Sequence, residues 1–130
     1  MRRINQLLTT FCLILLFSTL LSCSPGMPRG SEQDAGEVLV CNLSEDLIGW
    51  RVTTSGKITF VDQSPPDGVY FEFEDGGCQA GGFAHNQFWN EFSEEQQQQI
   101  ALGNSIQIEG ILTKDSGRMI VSVQKVIVGP

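Results

Sequence analysis

The fold is decided by one stretch in the middle of the chain, Val69-Tyr70-Phe71-Glu72-Phe73-Glu74-Asp75-Gly76-Gly77. Its residues alternate strictly, with Val69, Phe71 and Phe73 on one face and polar-tipped side chains on the other. This period of two predicts a half-buried β-strand, because successive side chains of a strand point to opposite faces of the sheet. The glycines after Asp75 tolerate the positive φ angles of a tight turn, so we expect a hairpin to follow.

Four further strands are predicted around this hairpin. They are Trp50–Phe60 with Ile58 and Phe60 in alternation, Cys78–Ala84, Ser105–Thr113, and Met119–Val128. The first and fourth contain Gly56 and Gly110, and a glycine inside a strand marks a bulge or a barrel corner. Between the third and fourth strands, Ser93-Glu94-Glu95-Gln96 has the spacing of a capping box. It predicts one helix that stops at Gly103.

Several short sequence motifs agree with this order of elements. The motifs are Gly49-x-x-Val52, Gly56-x-Ile58, Tyr70-Phe71-x-Phe73-x-Asp75 and Gly103-Asn104-x-Ile106-x-Ile108-x-Gly110. Over Leu47–Val128 the chain resembles small OB-fold domains of the anticodon-binding and exonuclease VII large-subunit type. The resemblance implies an all-β domain with one helix, a five-stranded Greek-key barrel with the helix between strands 3 and 4. An SH3-like barrel is the alternative, and the inserted helix counts against it.

The N-terminal segment has the pattern of a secretory signal peptide. Arg2 and Arg3 precede an uncharged apolar run from Leu7 to Leu21. The run ends in Leu20-Leu21-Ser22-Cys23, which resembles the lipobox of bacterial lipoproteins and implies cleavage before Cys23 and a lipid on its thiol. An ordinary signal peptide with a chance cysteine and an uncleaved anchor helix are the alternatives.

These observations predict three segments. Residues 1–22 are the signal peptide, 23–36 are a flexible tether rich in Pro, Gly and Ser, and 37–130 are the OB-fold domain with a short lead-in. The expected location is extracytoplasmic, on a membrane that holds the lipid anchor.

Two cysteines remain in the predicted domain, Cys41 and Cys78. A small domain outside the cytoplasm with two leftover cysteines favours one disulfide, and two buried free thiols are the alternative. There is no CxxC pair, and His85 is the only histidine in the chain. We therefore expect no metal site and no cofactor. Because a Ser/His/Asp set is also missing, we expect no enzyme activity.

A ligand would bind the outer face of the second and third strands, where OB-folds bind single strands or oligosaccharides. The candidate residues are Tyr70, Glu72, Glu74, Gln79, Phe83, Lys114 and Arg118, with Asp62–Gly68 and Lys114–Arg118 as rims. The aromatic rings of Tyr70 and Phe83 could stack on bases or sugars. Ordinary cross-strand packing on a half-exposed sheet explains their presence equally well. Glu72 and Glu74 repel phosphates, and after residue 22 six basic side chains face fifteen acidic ones, a formal charge of −9.

These expectations predict a lipid-anchored binding or adaptor module of the cell envelope. Its partner would be an envelope protein, peptide or glycan, besides the membrane that takes the anchor. The alternative is single-stranded nucleic acid bound through the face of strands 2 and 3, which the resemblance implies and the acidic charge opposes.

Overall fold

A computed structural model of the chain describes residues 33–129. The strands are β1 (Asp34–Glu37), β2 (Arg51–Asp62), β3 (Gly68–Asp75), β4 (Cys78–His85), β5 (Ser105–Asp115) and β6 (Arg118–Ile127). The helices are short, α1 (Asn86–Trp89) and α2 (Glu94–Gln99), and 3-10 turns lie at Val40–Asn42 and Glu45–Leu47. The predicted signal peptide, Cys23 and most of the predicted tether lie outside the described residues.

The strands form one sheet that closes into a barrel. Its order is β1-β2-β3-β4-β6-β5, and β2 also pairs with β5 along Arg51–Lys57. All neighbours in the barrel are antiparallel except β4 and β6, which pair in parallel over Gly81–Phe83. The predicted five-stranded OB-fold barrel is confirmed. Its strands one to five are β2–β6, and both helices lie between the third and fourth of them.

The apolar face of β3 lies at the centre of the core. Phe71 and Phe73 are completely buried, and their ring centroids are 5.9 Å apart. Fully buried aliphatic side chains from the other strands surround them: Val52, Ile58, Ile108, Leu112, Val121, Val123 and Val126. Full burial of one such side chain stabilises a fold by roughly 1.5–3 kcal/mol. The alternation read from the sequence therefore identifies the strand on which the rest of the barrel packs.

Two glycines allow the strands and side chains of the barrel to approach closely. A Cβ at Gly82 would lie 2.3 Å from Cζ of Phe71, so the ring occupies the space that a side chain would need. A Cβ at Gly110 would lie 2.0 Å from the carbonyl oxygen of Ser122 on β6. The register of β5 on β6 shifts at this glycine, which confirms the predicted barrel corner.

The connection between β4 and β5 contains the predicted capping-box helix, which ends at Gln99 rather than just before Gly103, and a shorter helix, α1, ahead of it. The capping box is confirmed, because the Ser93 hydroxyl accepts from the Gln96 N–H and the Gln96 side chain accepts from the Ser93 N–H. A capping residue has extended backbone, here φ −62° and ψ 160°. A helix therefore cannot run through Ser93. α1 ends at Trp89, and the box starts α2 as a separate helix.

The lead-in before β2 packs on the barrel. β1 pairs in parallel with the start of β2, so the last three residues of the predicted tether lie in a strand. Val40 is 4% exposed and belongs to the core. The predicted disulfide is confirmed: Cys41 and Cys78 are bonded, with their Cα atoms 5.1 Å apart. It fastens the lead-in to the beginning of β4.

Candidate functional site

The outer face, meaning the side of β3, β4 and β6 that points away from the core, carries most of the predicted ligand-binding residues. The register places Tyr70 opposite Phe83, Glu72 opposite Gly81, and Glu74 opposite Gln79. Because Phe71 and Phe73 between them point into the core, the side chains of Tyr70, Glu72 and Glu74 point outward.

Glu72 is the centre of a hydrogen-bonded network on this face. Its Oε1 accepts a hydrogen bond from the Tyr70 hydroxyl at 3.2 Å and forms an ion pair with Arg118. Its Oε2 accepts from the Gln79 amide at 2.8 Å. Arg118 Nη1 also donates to the Tyr70 hydroxyl at 3.0 Å. The negative charge of Glu72 is therefore compensated on this face by the Arg118 guanidinium of β6.

The ring of Tyr70 is held in place on the sheet. It lies over Gly81, where a Cβ would be 3.1 Å from its Cε2 and 3.2 Å from its hydroxyl oxygen. Ile120 of β6 flanks the same glycine at 3.2 Å. Burial raises the pKa of Tyr70 above its ordinary value, and the hydrogen bond from Arg118 acts in the opposite direction. The hydroxyl is therefore neutral near pH 7.

An open groove lies beside Tyr70, with a cavity volume of about 460 Å³. This outer-face groove is lined by Pro65, Asp67, Tyr70, Phe83, His85, Thr113, Asp115, Ile120 and Ser122. The rings of Phe83 and His85 meet edge to face with centroids 4.6 Å apart. The groove thus runs between the β2–β3 loop and the β5–β6 hairpin, the two segments expected as rims. It combines aromatic rings, hydroxyls and carboxylates.

Phe60 also lies on the outer face, although the sequence pattern predicts that it points into the core. Alternation would put Phe60 on the same side as Ile58, which is 1% exposed. The register of β2 on β3 shifts between these two residues, and such a bulge turns the following side chains to the other face. Phe60 is 47% exposed, and its ring centroid lies 6.3 Å from that of Tyr70. No local sequence signal marks this shift.

Two predicted site residues belong neither to the groove nor to the hydrogen-bonded network around Glu72. Lys114 forms an ion pair with Glu45 of the lead-in, and its hydrogen bond lowers the pKa of that carboxyl. Glu74 lies at the far end of β3, where it lines a second groove of about 450 Å³ with Lys57 and Asp75. Thus Tyr70, Glu72, Gln79 and Arg118 meet in one network and Phe83 lies beside it, while Lys114 and Glu74 are not part of this network.

The groove is acidic. Among residues 33–129, no Lys or Arg side chain lines it, whereas Asp67 and Asp115 do. Arg118 is next to the groove, but its charge is already matched by Glu72. An electrostatic clamp for a phosphate backbone would need basic side chains here. Any binding at this site must therefore rest mainly on stacking and hydrogen bonds.

The described part of the chain contains neither a metal-binding cluster nor a membrane-spanning helix. Residues 33–129 contain no group of three or more His, Cys, Asp or Glu side chains arranged to hold a metal ion. Within the same residues, every helix is too short or too polar to cross a membrane.

Comparison with known proteins gives likeness at the level of fold. No protein-family model and no curated protein matches the chain. Among solved structures, asparaginyl-tRNA synthetase from Pyrococcus horikoshii is similar over 69% of this chain and 22% of its own length. The TM-score is 0.58 and the identity 18%. The same enzyme complexed with asparaginyl-adenylate gives a TM-score of 0.58, 18% identity, and coverage of 70% and 21%. The chain thus spans about a fifth of the synthetase, and the likeness shows the OB-fold alone.

Proposed function

We propose that the chain is an OB-fold binding module that holds a short single strand of nucleic acid on its outer face. The observation that carries the proposal is the set of three partly exposed rings of Phe60, Tyr70 and Phe83 on adjacent strands. OB-folds bind single strands on this face by stacking bases on aromatic side chains, at roughly 1–3 kcal/mol per base. The similarity of the fold to part of asparaginyl-tRNA synthetase, an enzyme named for a nucleic-acid substrate, supports the same class of ligand.

The arrangement of Tyr70 supports a stacking role. Two hydrogen bonds at its hydroxyl, to Glu72 and from Arg118, fix the ring over Gly81 before any ligand arrives. A ring that is already ordered loses little conformational entropy on binding, so more of the stacking energy remains for affinity.

The charge of the chain determines how this binding depends on salt. After residue 22 the formal charge is −9, so phosphates are repelled, and added salt screens that repulsion. We therefore expect weak binding, with a Kd of about 10 µM to 1 mM for a strand that reaches all three rings. The affinity rises from low to moderate salt, the reverse of the behaviour of a basic nucleic-acid-binding protein.

The test is fluorescence anisotropy with the full chain in detergent and a labelled mixed-sequence DNA hexamer at several salt concentrations. An abasic hexamer and a peptide nucleic acid of the same sequence separate the contribution of bases from that of phosphates. We expect the uncharged peptide nucleic acid to bind most tightly at low salt and the abasic strand not to bind. Phe83→Leu should weaken binding, and Leu102→Ala, an exposed apolar residue outside the groove, should not. Failure of both base-bearing oligomers to bind at any salt would overturn the proposal.

A second candidate is the envelope adaptor expected from the sequence, which binds a peptide or glycan. The acidic rim favours it, because Asp67 and Asp115 could accept hydrogen bonds from sugar hydroxyls or pair with basic peptide side chains. The same anisotropy assay distinguishes the classes. A labelled Lys-containing Pro-rich peptide that binds more tightly as salt falls, together with no binding of either base-bearing oligomer, would select this candidate.

We also infer that the chain is an extracytoplasmic lipoprotein with its lipid on Cys23. The Cys41–Cys78 disulfide supports this location, since disulfides persist in oxidising compartments. Metabolic labelling with a fatty acid tests it. The wild-type chain should carry the label and Cys23→Ser should lose it. Equal labelling of both chains would contradict the inference.

A further inference from the structure

Two carboxylates lie in a groove that otherwise suits stacking. Asp67 comes from the β2–β3 loop and Asp115 from the end of β5, so they belong to the two opposite rims. Neither forms an ion pair within residues 33–129, and Asp115 accepts only a long hydrogen bond, 3.4 Å, from Ser116. Both side chains are exposed, so their oxygens are available to a ligand in the groove.

A carboxylate discriminates between nucleobases because it can only accept hydrogen bonds at neutral pH. Cytosine and adenine present an exocyclic amino donor, and guanine presents an amino group beside a ring N–H. Thymine and uracil present carbonyl oxygens on both sides of their one ring N–H. A carboxylate therefore stabilises the first group and repels the carbonyl oxygens of the second.

The rest of the groove adds little to this discrimination. The Ser122 hydroxyl can donate or accept and so tolerates any base edge. The Thr113 hydroxyl donates to the carbonyl oxygen of Ile120 at 3.0 Å, so toward a ligand it is an acceptor that acts in the same direction as the carboxylates, without their charge. The rings of Tyr70 and Phe83 stack on every base, since each has an aromatic face. A base that stacks on these sheet residues points its edge toward the rims, where Asp67 and Asp115 lie.

We propose that Asp67 and Asp115 make the outer-face groove selective for bases with an amino group, guanine above all, over thymine and uracil. This inference rests on the proposed nucleic-acid function. We expect the strongest preference for guanine, because its ring N–H and its adjacent amino group can donate to both oxygens of one carboxylate. The same two charges repel every strand equally through its phosphates, so they lower overall affinity while they set the preference.

The test compares three labelled DNA hexamers by anisotropy at one moderate sodium concentration: all thymine, all cytosine, and thymine with two central guanines. The cytosine and guanine hexamers should bind about 5- to 100-fold more tightly than thymine, the discrimination expected of one good base-edge contact. Asp67→Asn and Asp115→Asn should narrow this ratio and strengthen thymine binding, because an amide can donate to a carbonyl oxygen.

Glu94→Gln is the matched control, since it removes one negative charge from α2 outside the groove. It should raise all three affinities alike and leave the ratio unchanged. Equal binding of the hexamers by the wild-type chain, or Asn variants that behave like Glu94→Gln, would overturn the selectivity and leave the proposed function standing. Failure of every hexamer to bind would overturn the proposed function itself.

Discussion

Removal of the disulfide should cost this small domain much of its stability. Cys41 and Cys78 are 37 residues apart, and the loop they close contains β2 and β3. In the chain-entropy model, closing a loop of this length stabilises the folded state by about 4 kcal/mol, because it restricts the unfolded chain. A domain of this size has roughly 5–15 kcal/mol in total. The Cys41→Ser, Cys78→Ser double variant should therefore unfold about 15–30 °C below the wild-type chain.

The structure adds a second effect that can be measured separately. Val40 is in the core and is adjacent to the bridged Cys41, so the disulfide also holds the lead-in on the barrel. Without the bridge the lead-in can detach by itself. In the wild-type chain, where the disulfide is intact, Val40→Ala should lower the free energy of unfolding by about 1–2 kcal/mol through the lost methyl groups. In the Cys41→Ser, Cys78→Ser variant, Val40→Ala should lower the free energy of unfolding by much less, because the lead-in is already free to detach. The two effects on stability would then not be additive.

Thermal unfolding followed by tryptophan fluorescence measures the shift in melting temperature, and urea unfolding followed by the same signal measures the free energies that test additivity. Reduction of the wild-type chain with dithiothreitol should reproduce the loss and leave the double-serine variant unchanged. A double variant with the wild-type midpoint under oxidising conditions would refute the argument that the loop restrains the unfolded chain. Full additivity of Val40→Ala with the double variant would refute the argument that the bridge holds the lead-in.

Three further predictions concern single residues. Gly82→Ala should destabilise the domain by about 1–3 kcal/mol in urea unfolding, because the new Cβ would lie 2.3 Å from Cζ of Phe71; an unchanged midpoint would contradict that packing. Thr54→Val should stabilise by about 1 kcal/mol, since the buried Thr54 Oγ1 has no hydrogen-bond partner among residues 33–129; a loss of stability would indicate a partner for the hydroxyl. Tyr70 is the only tyrosine in the chain, so tyrosinate absorbance reports it alone. Its pKa should exceed the usual value of about 10, rise further in Arg118→Gln and fall in Glu72→Gln. Because the folded-state pKa is the higher one, its contribution to stability is complete below pH 10 and is lost as the pH rises toward the folded value. A pKa of Tyr70 at the usual value of about 10 would contradict the burial of its hydroxyl.

The architecture of this domain can be predicted from local signals in the sequence. The period of two from Val69 to Phe73 specifies which side chains enter the core, and the capping box at Ser93 specifies where α2 begins. Gly110 marks a corner, and two cysteines in a small domain predicted the disulfide. Each of these depends on neighbours along the chain or on composition.

The candidate site, in contrast, depends on contacts between strands that are far apart in the sequence. Arg118 reaches Glu72 across 46 residues of sequence because β6 pairs with β4 over Gly81, and this contact changes the charge of the face. The bulge in β2 turns Phe60 outward, although its spacing from Ile58 indicates the opposite. The groove exists because barrel closure brings the β2–β3 loop near the β5–β6 hairpin. Pairing between distant strands and a single shift of register have no local sequence pattern, so only the folded barrel shows which side chains meet.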